Sequence, residues 1–155
     1  MTDEISQRTP RVIVAGGINV DLVVTPAEPL VRGTSNPGGI SVYPGGVARN
    51  IAEFLRRLDV SVGLVGRVGC DALSRWVVTE TESPGVQMEG VEAGDGSVGF
   101  YVTIHEDGDL GTAVSDLTAT EEITPERLLA ALRRYSCDGT GETEQARRND
   151  GTGGG

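Results

Sequence analysis

The 155-residue sequence contains no lysine; all 13 of its basic residues are arginine. That absence excludes a lysine Schiff base, a lysine general base and the lysine of a P-loop. Basic residues of any kind are outnumbered by 23 aspartates and glutamates, for a net charge of -10. A nucleic-acid partner is therefore not expected, because phosphate binding needs a basic patch. The two cysteines, Cys70 and Cys137, are isolated in sequence and make neither a disulfide framework nor a metal site. The single histidine, His105, sits beside an acidic turn and reads as a surface residue. No apolar run approaches the ~20 residues that cross a bilayer. The first residues, Met1-Thr2-Asp3-Glu4, lack the apolar stretch of a signal peptide. These absences lead us to expect a soluble cytoplasmic protein without a membrane partner.

Enough apolar sequence remains to build a core: 37% of residues are hydrophobic, which excludes wholesale disorder and suits one domain. The acidity has two readings that composition leaves open. An acid-rich surface suits a high-salt cytoplasm, where charge is screened; a GC-rich genome would also favour Arg over Lys.

Residues 1–10 read as a disordered tail. Arg11-Val12-Ile13-Val14-Ala15 is an unbroken apolar run ended by Gly16-Gly17, as in a strand buried on both faces. Val20 to Val24 and the alternating Ile40 to Tyr43 are strands separated by a loop rich in Pro and Gly. Val47 to Leu58 is the clearest helix, with Val47, Ile51, Phe54, Leu55 and Leu58 on one stripe and Arg49 and Glu53 on the polar side. Phe54 and Trp76 are expected in the core. Val60 to Val68 is a strand, and Asp71 caps a helix to about Glu82 with Leu73, Trp76 and Val77 inward. Val98 to Ile104 alternates, turns at Asp107-Gly108, and returns as Leu110 to Val114. Thr124 caps a last helix starting at Pro125, with Leu128, Leu129, Leu132 and Tyr135 inward. Residues 136–155 hold almost nothing apolar and read as a disordered low-complexity tail.

This order mixes a βαβ pattern, which implies a parallel sheet with helices on its faces, with two hairpin-like insertions. The expected fold is α/β: a parallel sheet core over 11–135 with a small β lid formed by about 20–43 and 97–114.

Three clusters could carry chemistry. Asn19 and Asp21 follow Gly16-Gly17 at the carboxyl end of the first strand, where open α/β sheets bind ligands. Two residues apart on an extended segment, they share a side, and a carboxylate there could accept bonds from vicinal hydroxyls; an Asx turn ending the strand would use the same residues. Gly45 and Gly46 precede Arg49 and Asn50 at a helix N-terminus, which permits close ligand approach. A cation in the first turn is locally unfavourable and so could serve a ligand; a solvated Arg on a tight turn is the alternative. Ser35 and Asn36 lie in the polar loop Arg32 to Gly38 and could read a polar heterocycle, or simply make the turn.

Gly16-Gly17-Ile18-Asn19-Val20-Asp21, Pro44-Gly45-Gly46-Val47-Ala48-Arg49-Asn50-Ile51-Ala52-Glu53 and Val65-Gly66-Arg67-Val68-Gly69-Cys70-Asp71, in this order and spacing, resemble the PfkB/ribokinase family of sugar and nucleoside kinases. Within it, Pro29 to Gly38, Gly45 to Glu53 and Val114-Ser115-Asp116-Leu117 look most like pseudouridine kinases. The resemblance implies a ribokinase-like core, and ATP- and Mg2+-dependent phosphorylation of a primary hydroxyl, pseudouridine O5′ by the closest likeness. It implies that Asp21 holds sugar hydroxyls with Asn19, Gly45, Gly46 and Asn50 beside it, and that Arg49, Ser35 and Asn36 lie near the base. One departure is Asp59, where the family usually leaves this helix with a Gly. A larger one is that the Gly-Ala-Gly-Asp motif of the family's second half, with the catalytic base and the anion hole, is absent. The sequence thus reads as the N-terminal part of such a kinase, truncated or frameshifted and inactive as this chain. A non-catalytic nucleoside- or sugar-binding module, a homodimer formed through lid strands, and another sugar kinase such as a ribokinase are the alternatives.

Overall fold

The computed structural model describes residues 9–136. The elements are β1 (Val12–Ala15), β2 (Asn19–Pro26), β3 (Gly38–Gly45), α1 (Val47–Arg57), β4 (Val62–Val68), α2 (Ala72–Glu82), β5 (Gln87–Ala93), β6 (Gly99–Glu106), β7 (Asp109–Asp116), α3 (Thr118–Glu121) and α4 (Pro125–Ser136). They form a three-stranded parallel sheet, β1-β4-β5, and a four-stranded mixed sheet, β3-β2-β6-β7. The expected α/β core with a β lid is present. Of the tails expected over 1–10 and 136–155, residues 1–8 and 137–155, with Cys137, lie outside the described residues, while Ser136 belongs to α4.

All seven residues of β4 are buried, because helices cover both faces of its sheet. Val62, Leu64 and Val68 point into one layer with Ala48 and Ala52 of α1 and Val77 of α2. Val65 points the other way, onto Ala131 and Tyr135 of α4. Asp71 caps α2 by accepting the Ser74 N–H at 2.7 Å, and Thr124 caps α4 by accepting from Arg127 at 3.3 Å. Asp107 and Gly108, both at positive φ, make the two-residue turn between β6 and β7. Asp59 leaves α1 at φ 58, taking the left-handed position that suits Gly best.

α1 corrects the sequence reading. Ala48, Arg49 and Ala52 are its buried residues, whereas Val47, Ile51, Phe54 and Leu58 are exposed, Phe54 by 62%. The helix lies so close to the turn after β1 that a Cβ on Gly16 would stand 3.1 Å from that of Ala48. Small side chains fit that gap and large ones do not, so the broad apolar stripe is turned outward. Leu129 of α4 and Leu73 of α2 are likewise exposed, by 56% and 36%, against the expectation that they point inward, while Trp76 packs against the core as expected. Strand β5 and the short α3 carry no strong periodicity and were not anticipated.

Tyr135 ties α4 to the parallel sheet. Its hydroxyl accepts the Gly90 N–H at 2.9 Å and donates toward the carbonyls of Leu64, at 2.7 Å, and Gln87, at 2.9 Å. The ring fits because Gly63 and Gly90 leave room for it: a Cβ at either would come within 3 Å of the ring. Burial pushes the Tyr135 hydroxyl up to about 12 from its ordinary 10. A folded-state value above the unfolded one means this contribution to stability is complete below pH 10 and is lost as pH rises toward 12. Urea melts of the wild type should therefore weaken steeply over that interval. Tyr135→Phe should flatten the dependence and cost about 1–3 kcal/mol at neutral pH, since it strands the Gly90 N–H.

Candidate functional site

Three turns converge beside the start of the lid. Gly46 caps α1 at φ 98 with no side-chain cap, and α1 has no acidic residue in its first turn. A Cβ on Gly46 would run into the Gly17 carbonyl, and one on Gly45 would overlap the Asp21 carboxylate. Only glycine permits these approaches, and they bring Asn19, Asp21, Gly45, Gly46 and Asn50 to one place. The Arg49 N–H donates to the Gly17 carbonyl at 3.4 Å, which holds the N-terminus of α1 against the β1–β2 turn.

The polar groups of this cluster are underused by the fold. Asn19 is 93% buried and its Oδ1 has no hydrogen-bond partner. Nothing in the described structure donates a hydrogen bond to the half-buried Asp21 carboxylate. Its pKa is raised, chiefly by burial and against the nearby Arg49 guanidinium. A buried acceptor without a donor costs stability and calls for a reason outside the fold.

Arg49 is placed differently from the solvated or ligand-facing alternatives. It is 6% exposed and donates to Thr81 Oγ1 at 3.1 Å, Asn50 Oδ1 at 3.1 Å and the Pro44 carbonyl at 3.4 Å. It also pairs with Glu53 one turn later. Its side chain braces the cluster from behind and orients the Asn50 amide.

Ser35 and Asn36 are not brought to the cluster. Asn36 closes its own loop, accepting from the Val31 N–H at 2.8 Å and donating to the carbonyls of Val31 and Thr34. That loop lies beyond the Pro26–Gly38 pair, whereas Asp21 pairs with Tyr43. Five residues of strand separate them, roughly 17 Å.

Two neighbours escaped the sequence reading. Thr120 of α3 places its hydroxyl over Gly17, and Gly99 of β6 lies under Asn19, where a Cβ would stand 2.8 Å from Oδ1. Neither belongs to a local motif; sheet pairing and the fold of α3 bring them in. A polar depression of about 180 Å³ opens alongside, lined among others by Arg67, Gly99, Asp116 and Thr118.

The sequence profile of the pfkB family carbohydrate kinases matches residues 9–137. The chain belongs to the pfkB family. It is 31% identical over 119 residues to the pseudouridine kinase of Escherichia coli K12, covering 76% of this chain and 38% of that protein. It is 32% identical over 126 residues to the ATP-dependent ribose-1-phosphate kinase of Halopiger xanaduensis, covering 76% and 42%. Among solved structures, a putative sugar kinase from Clostridium perfringens superposes with a TM-score of 0.69 at 25% identity, covering 78% and 39%. The fold is ribokinase-like. The chain spans about two fifths of the length of the curated relatives it matches.

The family uses ATP, but the depression beside the cluster does not fit a triphosphate. Arg67 is occupied by Glu92 and by Glu122, at 2.7 Å, and Asp95 and Asp116 stand on the same depression. Among the described residues, no three His, Cys, Asp or Glu side chains are placed to hold a metal ion, and no helix is long and apolar enough to cross a membrane. What the cluster itself presents is acceptors without donors, Asn19 Oδ1 and the Asp21 carboxylate. Because burial of Asp21 outweighs the opposing attraction of Arg49, Asp21→Asn should raise rather than lower the melting temperature at pH 7, measured by calorimetry.

Proposed function

We propose that this chain is the acceptor-binding part of a sugar or nucleoside kinase, that its acceptor is pseudouridine, and that it does not transfer phosphate by itself. The observation that carries the reading is the pair Asn19 and Asp21, two polar side chains that the fold buries, wholly or in part, without hydrogen-bond donors. A carboxylate accepts hydrogen bonds from two hydroxyls at once, which suits the vicinal hydroxyls of a ribose ring. Asn50 offers an amide at the same place, and the glycines at 45 and 46 let the sugar approach the backbone. The likeness to the Escherichia coli pseudouridine kinase supports that base over free ribose.

Phosphoryl transfer depends on positioning and on charge stabilisation around the phosphates. The two buried arginines nearest the cluster, Arg49 and Arg67, are already paired with carboxylates. The exposed apolar stripe of α1, Val47, Ile51, Phe54 and Leu58, supports the same reading. It is a surface on which the remainder of a pfkB domain would pack.

A second reading has its own observation. The lid face turned away from Asp21 carries Ile40, Val42 and Val114, exposed by 67%, 44% and 67%. Such a face suits a homodimer through the lid strands. Sedimentation velocity should show self-association that Val42→Glu abolishes.

The acceptor reading is tested by calorimetric titration of the 155-residue protein with pseudouridine. We expect 1:1 binding that Asp21→Ala weakens by at least tenfold, with no pseudouridine phosphate formed when ATP and Mg2+ are added. Binding that ignores Asp21→Ala would refute the site; ATP-dependent phosphorylation by the purified chain would refute the incapacity.

A further inference from the structure

Sheet pairing places something beside Asp21 that no local motif shows. In the β2–β3 ladder Asp21 is the partner of Tyr43, and in the β2–β6 ladder it is the partner of Tyr101. Directly paired residues project from the same face of a sheet. The two tyrosines therefore flank the carboxylate, one on each neighbouring strand, on the face that also carries Asn19 and Gly99. The opposite face carries Val20, Leu22 and Phe100, which pack into the core.

Neither ring is used by the fold. Tyr43 is 53% exposed and Tyr101 39% exposed, and neither hydroxyl has a hydrogen-bond partner among the described residues. Both are absent from the two core clusters. Phe100 and Tyr135 show how this chain treats aromatic rings it needs for stability: the first packs against the core and the second is buried. Two exposed rings bracketing a donor-less carboxylate form a different arrangement. Strands two apart in a sheet lie roughly 10 Å from each other. Rings standing on them can close on one flat ring between, with each face at about 3.5–4 Å.

We propose that Tyr43 and Tyr101 are the specificity-determining walls of the acceptor site, stacking on the planar base of a nucleoside whose ribose hydroxyls are held by Asp21. This rests on the acceptor reading above and adds to it the reason a nucleoside would be preferred to a free sugar. Stacking tolerates any base, so the pair selects for the presence of a base and leaves its identity to edge contacts.

The test is calorimetric titration of the full 155-residue chain, and of its Tyr43→Ala, Tyr101→Ala, Tyr43→Phe and Tyr101→Phe variants, with pseudouridine, uridine and ribose. Both positions are exposed, so each variant should keep the wild-type circular dichroism spectrum, which is recorded as the control for folding. Each alanine variant should weaken both nucleosides by about tenfold or more and leave ribose unchanged, while the phenylalanine variants keep wild-type affinity. Equal losses for ribose and the nucleosides would show that the rings pack on the sugar and overturn the proposal. Unchanged nucleoside affinity would overturn it as well, including where the variants alter only self-association. If the wild type binds no nucleoside, or binds in a way that Asp21→Ala does not weaken, the acceptor reading itself fails and this proposal with it. Asp21-dependent binding that ignores both tyrosines removes the proposal alone.

Discussion

The arrangement depends on how closely the N-terminus of α1 can approach the turn between β1 and β2. Gly46 at positive φ rests on the Gly17 carbonyl, and Gly45 gives its missing side chain's space to the Asp21 carboxylate. Any larger residue would lift the helix off the sheet. With the helix down, Ala48 and Ala52 seal the core and Arg49 is drawn inside to Thr81, Pro44 and Glu53. Asn50 is then oriented from behind, Asn19 is buried with its Oδ1 unpartnered, and Asp21 is half-buried without a donor. One steric constraint thus sets both the packing of α1 and the chemistry of the site.

That constraint explains what could be read in advance. Strands with clear alternation, such as Gly99 to Glu106, and caps such as Asp71 and Thr124 were legible because their causes are local. The glycine pair and the Asn19–Asp21 spacing were legible because they form a compact motif. The facing of α1 was not. Its largest apolar residues define a strong stripe, but close approach at Gly16 admits only alanine, and packing overrides amphipathicity. Arg49, assigned to a polar surface or a ligand, is for the same reason a buried brace.

The outer parts of the site were hidden for a different reason. Strand register sets Tyr43 and Tyr101 beside Asp21 and Gly99 beside Asn19, and the placement of α3 sets Thr120 over Gly17; no local pattern encodes either. Ser35 and Asn36 show the converse. Their polar loop looked like a binding segment, yet Asn36 spends its amide on Val31 and Thr34 at the far end of the lid. In this fold the groups available to a ligand are those that the chain leaves without partners.

The central claim is that the site lies at the Gly45–Gly46 junction and not at the lid tip. Chemical-shift mapping of the labelled protein on addition of pseudouridine tests it most directly. The account predicts perturbations centred on Asn19, Asp21, Gly45, Gly46 and Asn50, with the loop from Arg32 to Gly38 unmoved. Perturbations confined to that loop, with the glycine junction silent, would contradict it.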